Sequence, residues 1–178
     1  MAKRMSLPQI RAYDKRRAGR HEAGHLAYGK AKGMPVSARL WKNPDSPKTF
    51  AECLQKTYWL GRAFFCPKDF ARLRKLEKAA FALAGAIAQE EADSAELVMD
   101  CWKDFGFSDT DLFYVPVDWE ENLSSEKFVL SAVNEAIAVL SSNNMLLNEI
   151  TDILVREEVY NTHGLPLEVM EEIAVRLS

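Results

Sequence analysis

The sequence predicts a mainly helical α+β fold, in which one long helix is followed by a small sheet and then a run of helices. Three observations carry that prediction. Apolar residues recur at helical spacing through most of the 178 residues. Only two stretches read as strands, and both fall between the first and second helices. The composition, 48% apolar and 28% charged, is globular rather than disordered. The length suits one domain with a real core, 1–178, and is short for two.

The first helix is expected from about residue 8 to 32, with Pro8 in its first turn and Gly33 and Pro35 as its stop. "VSARLW", residues 36–41, alternates apolar and polar side chains over most of its length and reads as a strand. "KNPDSPK" follows as a loop, because two prolines rule out regular structure there. "TYWLGRAFF", residues 57–65, is a second, aromatic-rich strand with Gly61 as a bulge candidate, and Cys66-Pro67 ends it. One helix is expected over 69–91, with Leu73, Leu76, Ala80, Leu83 and Ile87 as its apolar stripe. A shorter helix is expected over 95–104. After the proline-interrupted "FSDTDLFYVPVDWEEN", three more are expected over 125–140, 144–158 and 167–177. Residues 1–18 then form a basic helical extension, 19–112 the candidate site region and 113–178 the C-terminal helices.

A net charge of -3 argues against a dedicated nucleic-acid binder. Charge is nonetheless uneven. Lys3, Arg4, Arg11, Lys15, Arg16, Arg17 and Arg20 crowd the N-terminus against Asp14 alone, whereas acids dominate from Gln89 onward. The basic stretch reads either as a solvated helix face or as a docking surface for an acidic partner or for nucleic acid. The three cysteines, Cys53, Cys66 and Cys101, form no C-x-x-C pair, which fits a reducing compartment. No signal peptide is evident, and no apolar run approaches the roughly 20 residues of a membrane span. A soluble cytoplasmic protein is expected.

The stretch "GRHEAGHLAYGK", residues 19–30, holds two of the three histidines. On a helix, positions i and i+4 share a face, so His21 and His25 can present both imidazoles to one tetrahedral Zn2+. Glu22 can reach a water at that ion without being a ligand. It would accept the proton as the water attacks a carbonyl, then return it to the leaving amine. Ala23 and Gly24 are small enough for close helix packing. A near match to a phosphate-binding loop at Gly24, Gly29 and Lys30 fails, since Ala31 replaces the hydroxyl and the segment is helix interior. No nucleotide site is expected. A third ligand is needed. The only other histidine, His163, stands in the turn sequence "NTHGLP".

"HEAGH" resembles the zinc-peptidase domain of the FtsH-type ATP-dependent metallopeptidases. The order of "VSARLW", "TYWLGRAFF", "LAGAIAQEE" (83–91) and "SDTDL" (108–112) is similar to that family's order of elements. "NNMLLNEITDILV" is similar to its helical tail. The resemblance implies a zincin-like helix with a small sheet and a helical bundle. It also implies Asp111 as third zinc ligand, with Asp109 as the alternate and Asp93 as a further candidate. Ser108 or Asp109 also suits an N-cap. The family's ATPase module is absent from this sequence, and "VMDCWKDFGF" departs from the family's loop. The implied activity is zinc-dependent hydrolysis of unfolded or flexible polypeptide, with a separate unfoldase or adaptor as partner for folded substrates. Zinc peptidases bind substrate as an added edge strand, for which "TYWLGRAFF" is the candidate. Its aromatics would line a specificity pocket or belong to the core. Two other classes stay open: a zinc-binding but catalytically silent regulatory protein, and an interaction module without metal.

Overall fold

The first helix, α1, spans Leu7–Ala31 and organises the rest of the molecule. The computed structural model of the protein describes residues 5–91 and 126–162, together with 166, 168 and 169. At the start of α1, Pro8 lies in the first turn and the Ser6 N–H donates to Gln9 Oε1 at 2.8 Å. At its end, the Gly33 N–H bonds back to the Lys30 carbonyl and the Met34 N–H to that of Gly29. That pair of bonds is the Schellman closure, and Gly33 adopts the φ of 72° it requires.

The chain then enters β1 (Val36–Lys42), a short 3-10 turn (Glu52–Leu54) and β2 (Trp59–Phe65). Strands β1 and β2 pair antiparallel without interruption from Val36↔Phe65 to Lys42↔Trp59. Gly61 is therefore not a bulge; it sits in register opposite Leu40. A third strand, β3 (Val159–Asn161), pairs with the other side of β1, so among the described residues the sheet order is β2-β1-β3 and β2 is an edge.

The single helix expected over 69–91 is broken. Helix α2 (Pro67–Arg72) ends at Leu73, whose ψ of 142° is extended, and α3 (Lys75–Gln89) restarts behind Arg74. Two forces favour the break. The Arg74 N–H donates to Glu77 Oε2 at 2.9 Å, capping α3 from inside. The change of direction also carries Phe70 onto Phe65 and Phe81, at ring-centroid distances of 5.0 and 5.6 Å.

Helices α4 (Glu126–Ser142) and α5 (Asn144–Glu157) agree with the helical spacing of the sequence. Leu147, Ile150, Thr151 and Leu154 are the buried stripe of α5. Burying each large apolar side chain contributes roughly 1.5–3 kcal/mol. The chain leaves α5 through Glu158, at a φ of 62°, and turns directly into β3. The helices expected over 95–104 and, except for 168 and 169, over 167–177 lie outside the described residues.

The core forms where α1 meets α3, α5 and the sheet, with α4 closing over α3. Leu26, Tyr28, Leu40, Ala80, Val133 and Ile150 are among its members. Helix α3 is buried on nearly all sides rather than along one stripe, so it is a central helix. Gly24 is why α1 and α3 approach so closely. A Cβ there would strike the Ala84 carbonyl oxygen and come within 2.7 Å of Ala88 Cβ. Among the described residues, no helix is long and apolar enough to cross a membrane.

Candidate metal centre

Helix α1 directs different faces at different neighbours, and the candidate site lies where two of them meet. His21 and His25 face α3. Their Nε2 atoms stand 3.3 Å apart, with the two rings 73° from coplanar. Two nitrogens held at roughly 2.0–2.1 Å from one tetrahedral ion are separated by about 3.3 Å, so this spacing is that of a shared zinc ion. It also suits a hydrogen bond donated by His21, and a metal requires His21 to present a bare nitrogen instead.

The other ring nitrogen of His25 decides its tautomer. Nδ1 lies 2.8 Å from the carbonyl oxygen of Phe81 on α3. A carbonyl only accepts, so Nδ1 carries the proton and the neutral ring offers its Nε2 lone pair. Metal-ligating histidines are oriented in this way. His25 is only 5% exposed, so the ring has little room to turn.

One turn beyond Phe81, Gly85 keeps the ground before both nitrogens clear. A Cβ at this position would lie 2.8 Å from His21 Nε2 and closer still to His25 Nε2. Helix α3 thus contributes two backbone features, a carbonyl that orients one ligand and a missing side chain that leaves space for an ion.

Glu22 follows His21 by about 100° around the helix, so it faces the sheet. It is 6% exposed and lies against Gly61 of β2, where a Cβ would come within 2.6 Å of its Cγ and Oε1. At Gly61 it is the Glu22 side chain that approaches the strand backbone closely. The edge strand and the glutamate are adjacent.

Two imidazoles with a carboxylate nearby are a donor set that suits zinc. Among the described residues, no cluster of three or more metal-ligating side chains is assembled. Asp111, Asp109, Asp93 and His163 all lie outside the described residues. The histidine pair fits a zinc ion as two of its ligands.

The basic stretch of α1 is engaged within the chain. Arg20 donates to the Ala88 carbonyl at 2.7 Å and to Asn148 Oδ1 at 2.9 Å, tying α1 to α3 and α5 immediately before His21. Lys15 pairs with Glu158, Arg16 with Asp152 and Arg17 with Glu90. Of the strand aromatics, Tyr58 is buried, and Trp59 and Phe65 pack against the core.

Asp14 is a further residue near the site to which the sequence reading assigns no role. Its Oδ2 accepts from the N–H groups of Tyr58 and Trp59 at 2.7 and 2.9 Å. Burial holds its carboxyl above the ordinary carboxylate range, against the lowering pull of those two N–H groups and of Arg17.

No family model matches the chain, and no curated protein matches it.

Proposed function

We propose that this chain is a zinc-dependent metallopeptidase of the FtsH-type kind, acting in the cytoplasm on unfolded or flexible polypeptide. The observation that carries the proposal is the His21–His25 pair. Its two Nε2 atoms are 3.3 Å apart, and His25 is held in the ligating tautomer by the Phe81 carbonyl. Glu22 beside the edge strand supports chemistry over a purely structural site, which has no need of a buried carboxylate there.

His21 and His25 would hold the ion together with Asp111, or with Asp109 as the alternate. When bound, zinc polarises the scissile carbonyl and lowers the pKa of a water. Glu22, held against Gly61, would act as the base that takes a proton from the attacking water. The same carboxyl would then return that proton to the departing amine nitrogen, so that one residue would serve as base and acid in turn. The edge strand β2 would align the substrate backbone as an added strand. Folded substrates would need an unfoldase to deliver them.

Metal analysis of the purified protein tests the site. About one zinc per chain is expected, and the His21→Ala/His25→Ala double variant should hold none. Glu22→Gln should keep its zinc and its melting temperature and lose cleavage of an unfolded-protein substrate by at least about a hundredfold. A Glu22→Gln protein that cleaves at the wild-type rate would refute the mechanism. Absence of zinc after reconstitution would refute the site.

A further inference from the structure

Three residues of α1, Arg11, Asp14 and Lys15, converge on one dipeptide. Asp14 accepts both the Tyr58 and the Trp59 N–H on a single oxygen. Arg11 places its guanidinium 4.9 Å from the centre of the Tyr58 ring, and Lys15 places its ammonium 4.2 Å from that of Trp59. On the opposite side, the Asn43 N–H donates to the Tyr58 carbonyl at 2.9 Å. The entry to β2 is thereby gripped from the helix and from the end of β1. Two residues further along the same strand is Gly61, against which Glu22 lies.

A carboxylate that receives two backbone N–H groups makes charge-assisted bonds, about twice as strong as neutral ones. Its place is unusual. Asp14 and Glu22 stand on one helix, two turns apart, and both address β2. The helix that carries the base therefore also fixes the strand beside it.

We propose that Asp14 is a positioning residue, locking the edge strand β2 to the helix that carries Glu22 so that a peptide aligned along β2 meets that carboxylate in a fixed register. The inference rests on the peptidase reading of the site. Asp14 touches neither substrate nor metal, and acts through the strand. Its loss should weaken productive alignment while leaving the metal site intact. Both N–H groups use one oxygen, so an asparagine amide oxygen can take its place, and Asp14→Asn should largely rescue what Asp14→Ala loses.

The test compares wild type, Asp14→Ala and Asp14→Asn as full chains loaded with zinc. It measures kcat and KM on a fluorogenic peptide, zinc content, and amide hydrogen exchange over residues 58–61. Asp14→Ala is expected to raise KM about tenfold with kcat within about twofold, since small misplacements of an aligned substrate are costly. Zinc should stay at about one per chain, and exchange at Tyr58 and Trp59 should quicken by about tenfold or more. Asp14→Asn should return both KM and exchange to within about threefold of wild type. An unchanged KM in Asp14→Ala, or unchanged exchange at Tyr58 and Trp59, overturns the proposal. So does equal damage in the alanine and asparagine variants, or loss of zinc in both, which would mark a structural role. If the wild-type protein binds zinc and cleaves nothing, the peptidase reading fails, and the exchange data alone then decide whether the clasp exists.

Discussion

The two halves of α1 are held by opposite means. None of residues 7–18 is buried, the basic cluster lies among them, and ion pairs such as Arg16–Asp152 tie them to neighbouring elements. Gly19 and the run from Glu22 to Gly29 on the same helix are buried, and small residues let α3 come almost to backbone contact. An exposed pair contributes about 0–1 kcal/mol and leaves its side chains mobile. A close-packed seam leaves its side chains no alternative positions. The candidate ligands lie in the second half, where His25 cannot turn and Gly85 keeps their nitrogens clear. A site that needs sub-ångström placement is built where packing dictates geometry, not where charge does.

Breaking the seam should therefore have the largest effect. At Gly24, an added methyl meets the Ala84 carbonyl, a backbone atom in mid-helix that cannot step aside. Gly24→Ala is expected to lose about 3 kcal/mol, at the upper end of overpacking costs, measured as a shift in the urea midpoint. Gly85→Ala separates metal binding from folding. Its methyl strikes the tips of two imidazoles, and any shift that relieves the clash gives up their convergence. It should cost about 1–2 kcal/mol in stability. Zinc affinity should fall by at least about a hundredfold, read by competition with a chromophoric chelator. Undiminished affinity in Gly85→Ala would mean that the nitrogens do not converge beside this glycine.

Between seam and surface stands the node at the start of α3. Glu77 accepts from Arg74 at 3.0 Å and from Lys32 at 3.1 Å. The Arg74 side chain foremost, with the Arg74 backbone N–H and Lys32, holds its carboxyl at about 2, below the ordinary 4.5. A carboxyl whose folded pKa is lowered stabilises fully above its unfolded value. That contribution is lost as pH falls from about 4.5 toward about 2. Glu77→Gln should cost about 1 kcal/mol at pH 7 and flatten the acid limb of the stability curve. Parallel acid limbs for wild type and variant, in urea titrations at several pH values, would exclude this role.

The contrast also explains what could be read from the residues. Helix α1, β1 and α5 were legible because their signals are local: Pro8 and Gly33 bracket one, alternation marks another, and Leu147, Ile150 and Leu154 mark the third. The break before α3 was not legible, since Leu73 and Arg74 are ordinary helix formers and the break serves Phe70, whose partners are distant in sequence. Strand β3 is three residues long and follows a helix directly, too short for period-two alternation to register. At the site, the His21–Glu22–His25 spacing was legible because one helix turn brings the residues together. The Phe81 carbonyl was not, because a backbone acceptor has no identity in a sequence. Gly85 lies within "LAGAIAQEE", but its purpose depends on what α1 places opposite.

The smallest effect should come from the charged half. Arg16 and Asp152 are 3.1 Å apart with side chains 54% and 62% exposed, so water screens their attraction and both side chains lose entropy in meeting. Arg16→Ala is expected to change stability by less than about 0.5 kcal/mol and zinc affinity by less than about twofold. The double-mutant cycle with Asp152→Ala should give a coupling of about the same small size, fading in 1 M salt. A coupling well above 1 kcal/mol would erase the distinction between the halves, because the belt would then be fixing helix position as the seam does. A weak coupling would leave the placement of His21 and His25 to the seam, with Arg20 the basic residue that takes part, through its bond to the Ala88 carbonyl on α3.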